Sequence, residues 1–229
     1  MTARLPRPPV FFPTLFFASI FALLIGLGVW QLERLAGKRV LLDRIAAAET
    51  APAQPLSDAA PQFARLSVSG RIDPSRTARY LVEVRHTPRG ERMGARLIQP
   101  LTRPDGSVIL VDRGWAPDDA TTLAPPPPTI VGYARRGDAP GWFAPADDVA
   151  HLHFYTMDPG RIGAALGFAQ VAPFVLVALG SATDGQYPVP AEHLPRPPND
   201  HLNYALTWFA LAASLAGVYF VWIRRAVRA

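Results

Sequence analysis

The sequence predicts a membrane protein in which two transmembrane α-helices, one N-terminal and one C-terminal, flank a mainly β (α+β) extramembrane domain. Three observations carry that prediction. Val10 to Trp30 is almost wholly apolar, and no charged side chain lies between Arg7 and Glu33; about 20 such residues cross the hydrocarbon core of a bilayer. Leu202 to Ile223 is a second uncharged stretch, ended by Arg224 and Arg225. Between the two, short segments alternate apolar and polar residues with a period of two, the pattern of half-buried strands.

Each apolar stretch lacks the polar stripe that a surface helix keeps, and each is bounded by arginine. Aromatic residues stand where an interface belt places them: Trp30 ends the first stretch, Tyr204 and Trp208 begin the second, and Trp222 ends it. The alternative for the first stretch is a cleaved signal peptide. Its apolar run exceeds the usual h-region of about 7–15 residues, and no A-x-A pattern follows it closely. The small-residue run Ala46 to Ala48 lies beyond Arg34, Lys38, Arg39 and Arg44. The expected organisation is a tail at 1–9, a first span at 10–31, an extramembrane domain at 32–200, a second span at 201–223 and a tail at 224–229.

The net charge of +5 is carried by the tails. With Arg4, Arg7, Arg224, Arg225 and Arg228 set aside, 18 basic residues face 18 acidic ones, so the middle is formally neutral. The basic balance therefore points to no nucleic acid. Basic tails favour the cytoplasmic side, which puts both termini inside and the domain outside. Four basic residues crowd the other end of the first span, so the three arginines after the second span orient the chain more clearly. Cysteine is absent, which excludes disulfides, Cys-ligated metals and a C-x-x-C-H haem attachment.

Gln31 to Glu49 keeps a helical rhythm through Leu35, Val40, Leu41, Leu42 and Ile45, so the first helix continues beyond the membrane. Ala51 to Pro61 reads as a linker. Seven strands are expected at Leu66–Gly70, Tyr80–Val84, Ala95–Leu101, Val108–Val111, Thr129–Ala134, His153–Met157 and Phe174–Leu179. A basic turn runs from His86 to Arg92, and Pro104-Asp105-Gly106 is a hairpin signal. Asp158 to Leu166 reads as a short helix with Asp158 at the N-cap and Pro159 in the first position. Pro188 to Pro198 forms a stiff lead into the second span.

Catalytic constellations are sparse. No G-x-S-x-G, no Gly-rich phosphate loop and no H-E-x-x-H occurs, so the expectation is a protein that is not an enzyme. His151 and His153 would share one strand face, a metal pair only with further convergent ligands. Asp112-Arg113-Gly114-Trp115 reads as a salt-bridged strand end with a packed tryptophan.

His201 stands in the first turn of the second span, behind the capping residues Asn199 and Asp200. It shares a helix side with Tyr204, Ala205 and Trp208. Small residues continue that side at Ala212, Ala213, Ala216 and Gly217, and the first span reaches the same level with Gly26, Gly28, Trp30 and Gln31. A neutral imidazole there is a candidate ligand for haem iron, with Arg34, Lys38 or Arg39 available to propionates. The plainer alternative is a polar residue at a helix start, with aromatics anchored among headgroups.

Three segments together resemble one family. Gly28 to Ile45 (GVWQLERLAGKRVLLDRI) is similar to the G-x-W-Q-x-x-R-x-x-x-K signature that ends the first span of the Surfeit locus protein 1 family, the cytochrome oxidase assembly factors. Asp105 to Pro117 (DGSVILVDRGWAP) resembles that family's strand and R-G-W-x-P turn, and Asn199 to Ala212 (NDHLNYALTWFALA) its N-x-H-x-x-Y-A-x-x-W start of the second span. Shorter matches are Val68-Ser69-Gly70 and Phe154 to Asp158. The resemblance covers nearly the whole chain in the family's order. It implies a non-enzymatic biogenesis factor for haem-copper oxidases that binds haem a transiently and assists its delivery to the catalytic subunit. It places the haem-linked histidine at His201, with Trp30, Gln31, Arg34, Tyr204 and Trp208 on neighbouring motif positions. Arg113, Gly114 and Trp115 fall on motif positions too. The implied partners are the oxidase catalytic subunit, the haem a synthesis enzyme and membrane lipid. The implied setting is a bacterial inner membrane with the domain in the periplasm. The alternative is a membrane-anchored scaffold that holds an oxidase assembly intermediate without binding haem.

Overall fold

The computed structural model describes residues 10–139, 141–182 and 185–228. The expected tail at 1–9, with Arg4 and Arg7, lies outside the described residues. The chain forms two compact units, Met1–Arg44 with Arg196–Ala229, and Ile45–Pro195.

The first unit is a helix pair. Helix α1 (Phe11–Thr50) runs for 40 residues and α3 (His201–Arg228) for 28. Both are long and apolar enough to cross a membrane. Proline at position 13 does not interrupt α1, because the first helical turn has no intrahelical use for its missing N–H. The continuation through Gln31 to Glu49 is helical, as its rhythm requires. Covered residues of α1 include a series at alternating steps of three and four, Thr14, Phe17, Phe21, Leu24, Gly28, Gln31 and Leu35, with Ile20, Ile25 and Leu27 partly covered beside it. On α3 the corresponding series is His201, Ala205, Trp208, Ala212, Leu215 and Tyr219, with Phe209 and Ala216 partly covered beside it. That spacing keeps one seam of each helix turned toward the other.

The second unit is built on a nine-stranded mixed sheet. Its strands are β1 (Gln54–Pro55), β2 (Arg65–Ser69), β3 (Arg71–Ile72), β4 (Ala78–Thr87), β5 (Gly90–Thr102), β6 (Val108–Pro117), β7 (Thr129–Arg136), β8 (His153–Phe154) and β9 (Phe174–Ala178). Their order is β1-β2-β7-β9-β6-β5-β4-β8, with β3 paired to β5. Helix α2 (Pro159–Ala165) begins as its sequence predicts, with Asp158 Oδ1 accepting from Arg161 N at 3.1 Å. In β6, Ile109 and Val111 enter one core with Leu66, Val68, Phe174 and Leu176. Leu110 enters the other with Tyr80, Ile98, Phe154, Ile162 and Val175. Successive side chains of a strand point to opposite faces, so a central strand covered on both sides buries nearly every residue.

Several expectations are corrected here. Residues 51–61 are not wholly a linker, since Gln54 and Pro55 pair in parallel with Leu66 and Ser67. The basic turn is tighter than expected: β4 and β5 run on to Thr87 and Gly90, which pair across a two-residue turn. The β8 strand is only two residues long, and His151 lies in the turn before it. The hairpin at 104–106 stands, with Gly106 at φ +82° and its N–H bonded to Arg103 O at 3.0 Å.

The largest difference lies at Asp112–Trp115. The strand does not end there; β6 continues to Pro117. Trp115 exchanges two backbone hydrogen bonds with Val189, at 2.9 and 2.7 Å. Gly114, at φ +113°, makes that approach possible, because a Cβ there would stand 2.0 Å from Val189 O. Asp112 and Arg113 do not pair with each other. As strand neighbours they face opposite sides of the sheet, and Asp112 instead takes Arg96 from β5 at 2.6 Å.

Candidate functional site

The helix pair carries polar contacts at both ends of its seam. At one end Thr14 Oγ1 donates to Val10 O at 2.7 Å, which leaves its lone pair to accept from the Tyr219 hydroxyl at 2.7 Å. The Tyr219 ring stacks on Phe17 with centroids 4.1 Å apart. At the other end His201 Nδ1 and Gln31 Oε1 are 2.7 Å apart. From residue 14 to residue 31 of α1 is a rise of about 26 Å, close to the roughly 30 Å of a bilayer's hydrocarbon core.

The Gln31–His201 contact has a chemical consequence. An amide oxygen only accepts, so with the Gln31 amide oriented as it stands Nδ1 is the donor of this bond. In the neutral ring that donor role puts the in-plane lone pair on Nε2, the tautomer of a metal-ligating imidazole held by an outer acceptor. Gln31 is itself buried, at 9% exposure, so the acceptor is fixed in place. About two helical turns along the same seam, Trp208 Nε1 is a buried donor without a hydrogen-bond partner among the described residues. Orphaned buried donors are uncommon in folded proteins, and this one offers a hydrogen bond to an oxygen acceptor.

The other expected residues fall elsewhere. Trp30 and Tyr204 are exposed, at 46% and 58%, so neither lies on the seam that joins His201 to Gln31. Arg34 stacks over the Trp30 ring at 5.5 Å, on the exposed side of α1. Of the small residues, Ala205 and Ala212 are buried at the seam, whereas Ala213 and Gly217 are exposed. Gly28 serves packing in a way the sequence did not suggest. A Cβ there would stand 2.4 Å from Cε1 of Phe209, so the glycine admits a ring. Phe209 was legible only as one apolar residue among many.

The histidines of the sheet unit do not join this site. His151 Nδ1 bonds Asp148 Oδ2 at 2.7 Å and His153 Nε2 contacts Leu81 O at 3.1 Å. They do not share a strand face, and no group of three or more His, Cys, Asp or Glu able to hold a metal occurs among the described residues.

The sequence model of the SURF1 family matches residues 18–213, which take in α1 from residue 18 onward, the sheet, and the first part of α3 as far as residue 213. The chain belongs to the SURF1 family. It is similar to a SURF1-like protein of Rickettsia conorii, 32% identical over 216 residues that cover 90% of this chain and 88% of the relative. It is also similar to Surfeit locus protein 1 of Takifugu rubripes, at 26% identity with 90% and 94% covered. The corresponding figures for Surfeit locus protein 1 of Mus musculus are 26%, with 93% and 75% covered. Family membership thus extends across His201, Gln31 and the R-G-W segment alike, and the resemblance read from three motifs holds over the chain.

Proposed function

We propose that this family member is a haem a-binding assembly factor for a haem-copper terminal oxidase, assisting haem delivery to the oxidase catalytic subunit. The observation that carries the proposal is the Gln31–His201 bond, which leaves Nε2 of a half-buried imidazole as the free coordinating atom. The donor set suits haem: a neutral nitrogen ligand, an unpartnered indole N–H on the same seam, and the cations Arg34 and Lys38 nearby in the chain for propionates. Bound haem would supply an iron with a coordination position for the imidazole. The chain's own part is to hold that imidazole in one tautomer and orientation.

The chain acts as a carrier or chaperone and not as an enzyme, with the haem a synthesis enzyme as a further partner. Its helices span the inner membrane at 10–31 and 201–223, among lipids, with both tails cytoplasmic and residues 32–200 periplasmic. Alkaline phosphatase fused after Asp148 is therefore expected to be active, and the same fusion after Ala229 silent. A well-expressed but inactive fusion at Asp148 would reverse the orientation.

The scaffold reading takes the same Gln31–His201 bond as a clasp between helices that holds no haem. Colour separates the two. Protein purified from cells making haem a should show a Soret band that His201→Ala largely loses while still inserting in the membrane. His151→Ala and His153→Ala should keep it, and Trp208→Ala should weaken it less than loss of the ligand does. A wild-type ratio of Soret to protein absorbance in His201→Ala would put the scaffold first.

A further inference from the structure

The sheet unit contains a buried cation with no buried anion to match it among the described residues. Arg113 is 8% exposed. Its guanidinium donates to Gln99 Oε1 at 3.3 Å and to Ala124 O at 2.9 Å, both neutral acceptors. Gln99 is fully buried, and its amide is held in turn by Thr77 Oγ1 at 2.8 Å, so this side of the guanidinium is fixed. No carboxylate lies within 4 Å of Arg113 among the described residues, and Asp112, next in the chain, is committed to Arg96 and to the Gly114 N–H.

Burial pushes the Arg113 guanidinium below its ordinary value, yet arginine keeps its proton at any physiological pH. Among the described residues this charge is held by neutral groups, an arrangement that is costly unless an opposite charge joins it. The neighbouring Arg96 shows the satisfied case. Burial works to lower its value, but Asp112 offsets this by charge and hydrogen bond, and the net shift is upward.

Arg113 borders a cavity of about 330 Å³, whose walls include Thr129, Ile130, Ala178, Pro188 and Pro190. Its lining contains no second cation and no acidic residue among the described residues. The remaining N–H groups of one guanidinium match a single carboxylate in charge and in fork geometry. A phosphate, nearer two negative charges, would need another cation. Pro125, Pro127, Ala178 and Leu179 offer an apolar wall for a short body behind the anionic group, and Thr129, Ser181 and Gln186 line the cavity beside them.

We propose that this cavity binds one carboxylate group, carried on a small apolar body, against the Arg113 guanidinium. The site is independent of His201, and its fate does not depend on whether the helix pair binds haem. A carboxylate of this kind is found on a free short-chain acid or at the end of a polypeptide, and the two are separable.

The test is calorimetric titration of the full chain in detergent. Five probes serve: 3-methylbutyrate, its amide, inorganic phosphate, and an acetylated Ala-Ala-Val peptide in two forms, with a free and with an amidated C terminus. We expect the free acid to bind with a Kd on the order of 1 mM, a scale suited to a ligand of few atoms. The amide and phosphate should bind at least about tenfold more weakly, in line with loss of a charge-assisted fork. Binding by the free-acid peptide alone would identify a chain end as the source and uphold the site.

Arg113→Gln should abolish acid binding, and Arg135→Gln, whose arginine already pairs with Asp138 at 2.6 Å, should retain it. Because Arg113 also braces Ala124, Ser181→Phe at the cavity rim provides a variant that leaves the guanidinium in place, and it too should lose binding. Equal affinity for acid and amide, or no binding by any carboxylate probe, overturns the proposal.

Discussion

The two units handle buried polar groups in different ways. In the sheet, polar side chains are locked by several strands at once: Asp112, wholly buried, accepts from Arg96 of β5 and from the Gly114 N–H of its own strand. In the helix pair, the contacts between helices that involve polar side chains are single bonds at opposite ends of an apolar seam, Thr14–Tyr219 and Gln31–His201. The reason is the backbone. A sheet brings residues distant in sequence side by side through its hydrogen-bond ladder, so a charge can be surrounded. A helix satisfies its backbone internally and meets its neighbour along one stripe. The Asp112–Arg96 pair is therefore part of the sheet's stability, whereas Gln31 and His201, held by one bond, are freer to serve a ligand, as is the cavity-lining Arg113 of the sheet unit.

That contrast is open to direct attack. The largest effect should come from Asp112→Ala, which strands the Arg96 cation inside the sheet. Breaking a buried pair in this way typically costs about 3–5 kcal/mol, read as a shift in denaturant unfolding of the purified chain. A loss below about 1 kcal/mol, the range of an exposed pair, would mean that Arg96 escapes to water.

Gln31→Leu should cost less, on the order of 1–3 kcal/mol for an imidazole N–H left unpaired. Its clearer signature would be spectroscopic. If Gln31 holds the tautomer, bound haem should fall several-fold and its reduction potential should move, because the acceptor behind the ligand sets its basicity. Unchanged haem content and potential in Gln31→Leu would leave the contact as a helix clasp.

The smallest effect lies at the surface of the sheet unit. The Asp148 carboxyl is held below the usual carboxylate range, first by the hydrogen bond from the His151 ring and then by the His151 backbone N–H. A depressed folded value stabilises the fold above the ordinary carboxylate value, and that contribution disappears as pH falls through the folded one. His151→Ala should move the Asp148 titration upward, which carboxyl-detected NMR can follow, with little change in stability near neutral pH. No movement would show that the backbone bond alone carries the effect.

Much of the architecture was legible because its signals are local. Two uncharged stretches, a helical rhythm through Ile45, an Asp-Gly hairpin and an Asp158-Pro159 helix start each depend on a few consecutive residues. The candidate ligand His201 was legible for the same reason, as the first residue of an apolar helix. Two-residue strands were not, since Gln54–Pro55 and Arg71–Ile72 are strands only by virtue of partners far along the chain.

The sequence by itself determined that apolar helices flank a sheet domain, that the charge of the middle cancels, and that an imidazole opens the second apolar helix. Only the tertiary structure decided which partners the polar residues take. Asp112 and Arg113 look like a pair in one dimension, yet the two-residue period of a strand turns them to opposite faces. One then finds Arg96 and the other faces a cavity. Gln31 and His201 stand 170 positions apart in the chain, and only the seam between α1 and α3 sets them at hydrogen-bond distance. Pairing is a property of the folded neighbourhood, because charge and hydrogen bonding act over a few ångströms of space and sequence order does not measure that distance.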